Sequence, residues 1–224
     1  MIQVIPVINC HFGDTDCVTE KVKKAEGFSG WVHLDAADGV FTFNRTWANP
    51  KAWKKLGTKL NLEVHLMVEK PEAVVGDWLS AGAKRIIFHF ESVREDKAHV
   101  VHRDTKKLIH EILVECAQHR AEVMVALNPE TPVEELKPYF NAFSEYQILA
   151  VTPGFAGQKF LPTVLEKIKF LRREVPNATI EVDGGITLET GKQVKAAGAT
   201  ILVSASYILD APDPVKAFGE LINV

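Results

Sequence analysis

Cysteine is scarce in this chain: three in 224 residues, at positions 10, 17 and 116, with no C-x-x-C pair among them. An odd, spread-out set argues against a disulfide framework and against a thiolate zinc site, and points to a reducing compartment, a cytoplasmic one. Long hydrophobic runs are missing too. The longest, such as 199–203, are strand-sized, far short of the roughly 20 residues that cross a bilayer, so no membrane association is expected. The opening MIQVIPVIN lacks the basic start and long apolar core of a secretory signal and reads as a strand. Neither sign of charge prevails: 26 Lys and Arg face 29 Asp and Glu, a net −3, which leaves no basic footprint for nucleic acid. No Pro-, Gly- or Ser-rich linker divides the chain, and one domain over 1–224 is expected.

What is present is an alternation. Apolar, strand-like runs occur at 2–8, 30–36, 61–68, 84–90, 121–127, 146–152, 179–183 and 199–205. Amphipathic, helix-like segments fall near 14–26, 49–59, 71–81, 103–119, 132–140, 162–175, 188–197 and 212–222. Pro71, Pro132 and Pro162 suit first helical turns, Thr131 with Glu134 fits a capping box, Asp213 suits an N-cap, and Gly198 closes the seventh helix. Strict α/β alternation implies parallel strands joined by right-handed crossovers. A single closed (β/α)₈ TIM barrel, typically about 250 residues, is the economical architecture; an open doubly wound sheet would give the same alternation. Residues 91–105 form a long, charged connection after the fourth strand, a solvated loop or else a lid or subunit contact at the catalytic end.

The chemistry lies at strand ends. Alternate side chains of a strand face the same way, so His33 and Asp35 in WVHLDAADG project together while Val32, Leu34 and Ala36 face the helices. An imidazole and a carboxylate inside a barrel are costly unless paired or metal-bound. His65 near the end of LEVHLMV and Asp183 at the end of IEVDGG repeat the anomaly. Two histidines and two aspartates make a mixed N/O site suited to one divalent metal ion, Zn, Fe(II), Mn or Co, with positions left open for substrate oxygens. His89 in IIFHFES reads as a supporting or core histidine that Glu91 could anchor. Glycine-rich TPGFAGQKF, DGGI and the VSASYI segment follow the sixth to eighth strands. There, backbone amides can converge on an anion, and barrels often bind phosphate in the last loops. A metal on one side and a phosphate cradle on the other imply a small sugar phosphate. A proton beside its ketone becomes removable if the enediolate is stabilised, and carboxylates on opposite faces could take and return it with inversion.

Taken together, HLDAADGVF, VHLMVEKPE, VTPGFAGQKF, IEVDGG and the VSAS strand resemble the ribulose-phosphate 3-epimerase family, in order and over nearly the whole chain. The resemblance implies an isomerase of the pentose phosphate pathway that interconverts D-ribulose 5-phosphate and D-xylulose 5-phosphate. It makes His33, Asp35, His65 and Asp183 the metal ligands and Asp35 and Asp183 the acid/base pair. Phosphate would be held by Gly154, Phe155, Ala156, Gly157, Gly184, Gly185, Ala205 and Ser206, and a homo-oligomer would be the assembly.

The departures concern the pocket. Val7 stands where the family usually has serine, so a substrate hydrogen bond is missing unless Asn9 replaces it; Ala37 and Leu149 replace methionines, while Met67 remains. Ala156 and Ala205 stand at usual glycines, and Thr42-Phe43-Asn44 replaces V-P-N. These changes keep two alternatives open: the same chemistry on a longer ketose such as D-allulose 6-phosphate, and a non-catalytic sugar-phosphate binder. A related barrel decarboxylase is disfavoured because its D-x-K-x-x-D pattern is absent, the second strand ending Asp35-Ala36-Ala37-Asp38.

Overall fold

Side-chain alternation along the strands sorts the apolar residues into two cores. Val32, Leu34, Leu62, Val64, Leu66, Ile86 and Phe88 point outward into a large layer shared with the helices. Ile5, Val7, Ile87, Met124, Leu149 and Val203 point inward and form a smaller cluster in the barrel lumen. That parity also sends His33 and Asp35 inside, as their spacing requires.

The computed structural model describes residues 2–95, 103–154 and 157–224. Its strands are β1 (Gln3–Ile8), β2 (Trp31–Ala37), β3 (Asn61–Met67), β4 (Arg85–His89), β5 (Glu122–Leu127), β6 (Glu145–Leu149), β7 (Thr179–Asp183) and β8 (Ile201–Ser204), closed in sequence order. Parallel pairing of β1 with β8, Val4 opposite Leu202, completes the ring and removes the open-sheet alternative. Helices α1 (Thr15–Glu26), α2 (Pro50–Leu56), α3 (Val75–Ser80), α4 (Phe90–Val93), α5 (Thr105–Gln118), α6 (Val164–Glu174), α7 (Leu188–Ala197), α8 (Ser206–Leu209) and α9 (Pro214–Ile222) surround it. No helix among the described residues is long and apolar enough to cross a membrane.

Asp14, Asn49, Asp104, Thr187 and Asp213 cap α1, α2, α5, α7 and α9, each side chain accepting from a first-turn amide. The capping box expected at Thr131 does not form. Val133–Tyr139 is a 3₁₀ segment with Pro138 inside it, and a proline without an N–H cannot carry an α-helical ladder there. The capping box lies instead at Thr187 and Thr190. The segment 71–81 divides into a 3₁₀ turn, Pro71–Ala73, and α3. Within the 91–105 connection, residues 96–102 lie outside the described residues.

The cysteine expectation needs correction. Cys10 and Cys17 form a disulfide, leaving Cys116 buried and free. Three cysteines permit one pair, and capping by Asp14 starts α1 so that its first turn returns Cys17 over the chain leaving β1. The pair therefore removes the cysteine argument for a reducing compartment. A bridge that closes so short a loop contributes roughly 2–3 kcal/mol on the chain-entropy account. Cys17→Ser is expected to lose about that much stability in urea unfolding under oxidising conditions. Under reductant, parent and variant should coincide; equal stability under both conditions would contradict the bond.

Candidate active site

Strand pairing brings the polar residues together. Asp35 lies opposite His65 in the β2–β3 register, and Asp183 lies opposite Leu149 and Val203 in the β6–β7 and β7–β8 registers. One ligand atom from each of His33, Asp35, His65 and Asp183 falls within 4.8 Å of the others. Oδ1 of Asp35 is 3.3 Å from Nε2 of His33 and 3.1 Å from Nδ1 of His65, which in turn is 3.6 Å from Oδ2 of Asp183. The Nε2 atom of His33 is buried without a hydrogen-bond partner. An orphaned imidazole nitrogen aimed at two carboxylates and a second imidazole fits a cation of the N/O-binding kind, because such an atom is otherwise costly to bury.

Each histidine is held from behind. Nδ1 of His33 donates to Oε1 of Glu63 at 2.7 Å, and Nε2 of His65 meets Nε2 of His89 at 2.8 Å. His89 Nδ1 lies 3.3 Å from Oε2 of Glu91, whose other oxygen accepts from the Asn128 amide at 2.9 Å. Asn9 Nδ2 donates to Oδ2 of Asp35 at 2.9 Å, so this residue supports a carboxylate.

The two carboxylates sit in different electrostatic surroundings. Burial would raise Asp35, but the imidazoles of His33 and His65 beside it outweigh that effect and hold the group well below the ordinary carboxylate range. Asp183 is pushed up to about 6, by burial first and by the neighbouring Asp35 charge second. Environments that separate two neighbouring carboxyls in this way suit one to accept a proton while the other gives one.

Above the cluster opens a cavity of about 510 Å³, with Val7, Asn9, Asp35, Met67, Leu149 and Asp183 at its floor and Gly154, Gly157, Gly184, Gly185, Ala205 and Ser206 in its wall. Ala37 is not part of the lining; it is buried at the end of β2, where its amide donates to Thr46 Oγ1 at 2.8 Å. Phe155 and Ala156 lie outside the described residues. Asn44 ties the loop after β2 to the loop after β6, donating to the Gly154 carbonyl at 2.7 Å.

Sequence reasoning missed the layer beneath. Arg85 reaches Glu63 at 2.5 Å, Glu122 at 2.7 Å and Glu145 at 3.2 Å, while Gln147 donates to Glu181 at 2.9 Å. The signal was there. Glu63 precedes His65 by two residues, and Glu181 precedes Asp183 by two, the same inward parity.

A closed (β/α)₈ barrel with ionisable side chains and an open cavity gathered at the C-terminal ends of its strands has the arrangement of a barrel enzyme. Comparison with known proteins narrows the class. The model of the ribulose-phosphate 3-epimerase family matches residues 9–209. The chain is 34% identical over 229 residues to ribulose-phosphate 3-epimerase of Bacillus subtilis, covering 99% of this chain and 98% of that protein. It is 36% identical over 200 residues to a cytoplasmic isoform from Oryza sativa, covering 86% and 79%. Among solved structures, KGPDC from Streptococcus mutans aligns with a TM-score of 0.71 at 11% identity over 100% of this chain and 96% of that one. Orotidine 5'-phosphate decarboxylase from Pyrococcus horikoshii aligns at 0.64 with 12% identity over 99% and 98%. At such identities these structures speak for the fold alone. The chain belongs to the ribulose-phosphate 3-epimerase family and is an isomerase of the epimerase type.

Proposed function

We propose that this enzyme inverts C3 of a ketose phosphate, interconverting D-ribulose 5-phosphate and D-xylulose 5-phosphate with one divalent metal ion. The observation that carries the reading is the convergence of His33 Nε2, Asp35, His65 Nδ1 and Asp183 below a glycine-walled cavity. His33, Asp35, His65 and Asp183 would hold the ion, whose charge would favour a substrate carrying negative charge on oxygen. Asp35 and Asp183 stand on strands three places apart in the ring, so a planar enediolate between them offers one face to each. In one direction Asp35 takes the C3 proton and Asp183 delivers another from the opposite face; the reverse reaction exchanges the roles. Asn9 fixes Asp35 through Oδ2. Amides of Gly154, Gly157, Gly184, Gly185, Ala205 and Ser206, with Phe155 and Ala156 completing the loop after β6, would receive the phosphate.

The longer-ketose alternative rested on Ala37 and Leu149. With Ala37 outside the cavity wall, only Leu149 still supports it. The relatives of this enzyme include a cytoplasmic isoform, and we place it in the cytoplasm on that ground and not on its cysteines. The test combines metal analysis of protein purified without chelator with turnover on D-ribulose 5-phosphate and on D-allulose 6-phosphate. Stoichiometric metal is expected, with turnover mainly of the pentulose that is lost on chelation and restored by a divalent ion. Absence of stoichiometric metal after loading, or failure to turn over either sugar, overturns the reading.

A further inference from the structure

We infer that Glu63, held by Arg85, is a positioning residue that makes His33 present Nε2 rather than Nδ1 to the metal; this rests on the metal reading above. The ring of His33 is fully buried on β2 and has two distinct nitrogens. Nδ1 is 2.7 Å from Oε1 of Glu63, on the paired position of β3. A carboxylate accepts only, so the proton of the neutral ring resides on Nδ1. The lone pair then falls on Nε2, the atom without a hydrogen bond that lies 3.3 Å from Asp35 Oδ1.

Arg85 determines which oxygen of Glu63 does this. Its Nη1 donates to Oε2 at 2.5 Å from the next strand, where Arg85 pairs with Glu63 in register. The guanidinium is itself held by Glu122 and Glu145 and lies over the Trp31 ring at 4.8 Å. Glu63 therefore serves two donors at once, one on each oxygen. No amide can do so, because a glutamine has a single acceptor oxygen. With that oxygen taken by Arg85, which has no acceptor to offer, the Glu63→Gln amide NH₂ would face Nδ1 and demand a lone pair there. The ring proton would move to Nε2, where it blocks ligation. Outer partners of this kind orient metal-bound histidines and tune affinity.

The experiment titrates metal-free protein with Co(II) and reads both the dissociation constant and the visible ligand-field spectrum. For Glu63→Gln, roughly ten- to hundredfold weaker binding with an altered spectrum is expected. Glu63→Asp, which keeps two acceptor oxygens, should recover part of the affinity. A purely structural role would lower the unfolding midpoint of the metal-free protein while leaving the Co(II) constant and spectrum unchanged, and that result overturns the inference. Should Glu63→Gln not fold, ¹⁵N imidazole spectra of the zinc-loaded parent decide: a proton on Nδ1 of His33 supports the assignment and a proton on Nε2 refutes it. If the parent itself binds neither Co(II) nor zinc, the metal reading fails first and this inference with it. If the parent binds one ion and Glu63→Gln binds it identically, only the positioning role falls.

Discussion

Asp183→Asn is expected to lower epimerisation by roughly 10²–10⁴-fold, the usual worth of a positioned acid or base, while one epimer of the substrate still exchanges its C3 hydrogen with solvent. In the proposed mechanism each face of the planar intermediate is served by its own carboxylate. With Asp183 made non-ionisable, Asp35 can still remove the proton from its own face and return deuterium there. Asp35 remains competent because the neighbouring imidazoles of His33 and His65 outweigh its burial and keep it ionised far below neutrality. Exchange without inversion should therefore appear in D₂O for one epimer only, and Asp35→Asn should give the opposite choice of epimer. Metal content of each variant is measured alongside, because both residues belong to the four-residue cluster. Parental epimerisation in Asp183→Asn would end its proton-transfer role. Exchange of both epimers in one variant would instead point to a single base serving both faces.

The site was legible in the sequence wherever one strand carries its own evidence. His33 and Asp35 share a parity within β2, and glycines follow Asp183 directly, so the cluster and the cradle could be placed before any pairing was known. The layer beneath was not read, although Glu63 and Glu181 have that same parity. Their significance depends on a partner from another strand: Arg85 meets Glu63 only through the β3–β4 register, which no local pattern specifies. Ala37 shows the same limit in reverse. It follows Asp35 by two residues and seemed bound for the pocket, but at the very end of β2 the backbone is taken up by Thr46, which donates to the Asp35 carbonyl at 2.7 Å and accepts from Ala37. Closure of the ring and the Cys10–Cys17 bond likewise depend on spatial neighbours that periodicity does not report.

Gly185→Ala is expected to raise KM for the phosphorylated substrate by roughly ten- to hundredfold, about 1.4–2.8 kcal/mol of lost binding, with a much smaller change in kcat. Gly185 follows β7 with φ +64, and a Cβ there would lie 2.8 Å from the Phe160 amide nitrogen and 3.0 Å from its Cα. Those atoms belong to the backbone of the neighbouring loop, so the clash cannot be relieved by turning a flexible side chain. A non-glycine residue in this conformation adds a further cost of about 1 kcal/mol. The loop cannot simply swing outward, because the Gly185 carbonyl accepts from Thr190 Oγ1 at 2.8 Å at the capped start of α7. The strain is thus expected to fall on the contact between the loops after β6 and β7, where phosphate is proposed to bind, while Asp183 stays anchored in its strand. Gly157→Ala is the control: φ is +77, but a Cβ meets nothing within 4 Å, so only the conformational cost remains. Inhibition by inorganic phosphate should weaken in parallel with KM in Gly185→Ala. An unchanged phosphate inhibition constant beside a reduced kcat would place the glycine's role in the chemistry of the carboxylates and remove these loops from phosphate recognition.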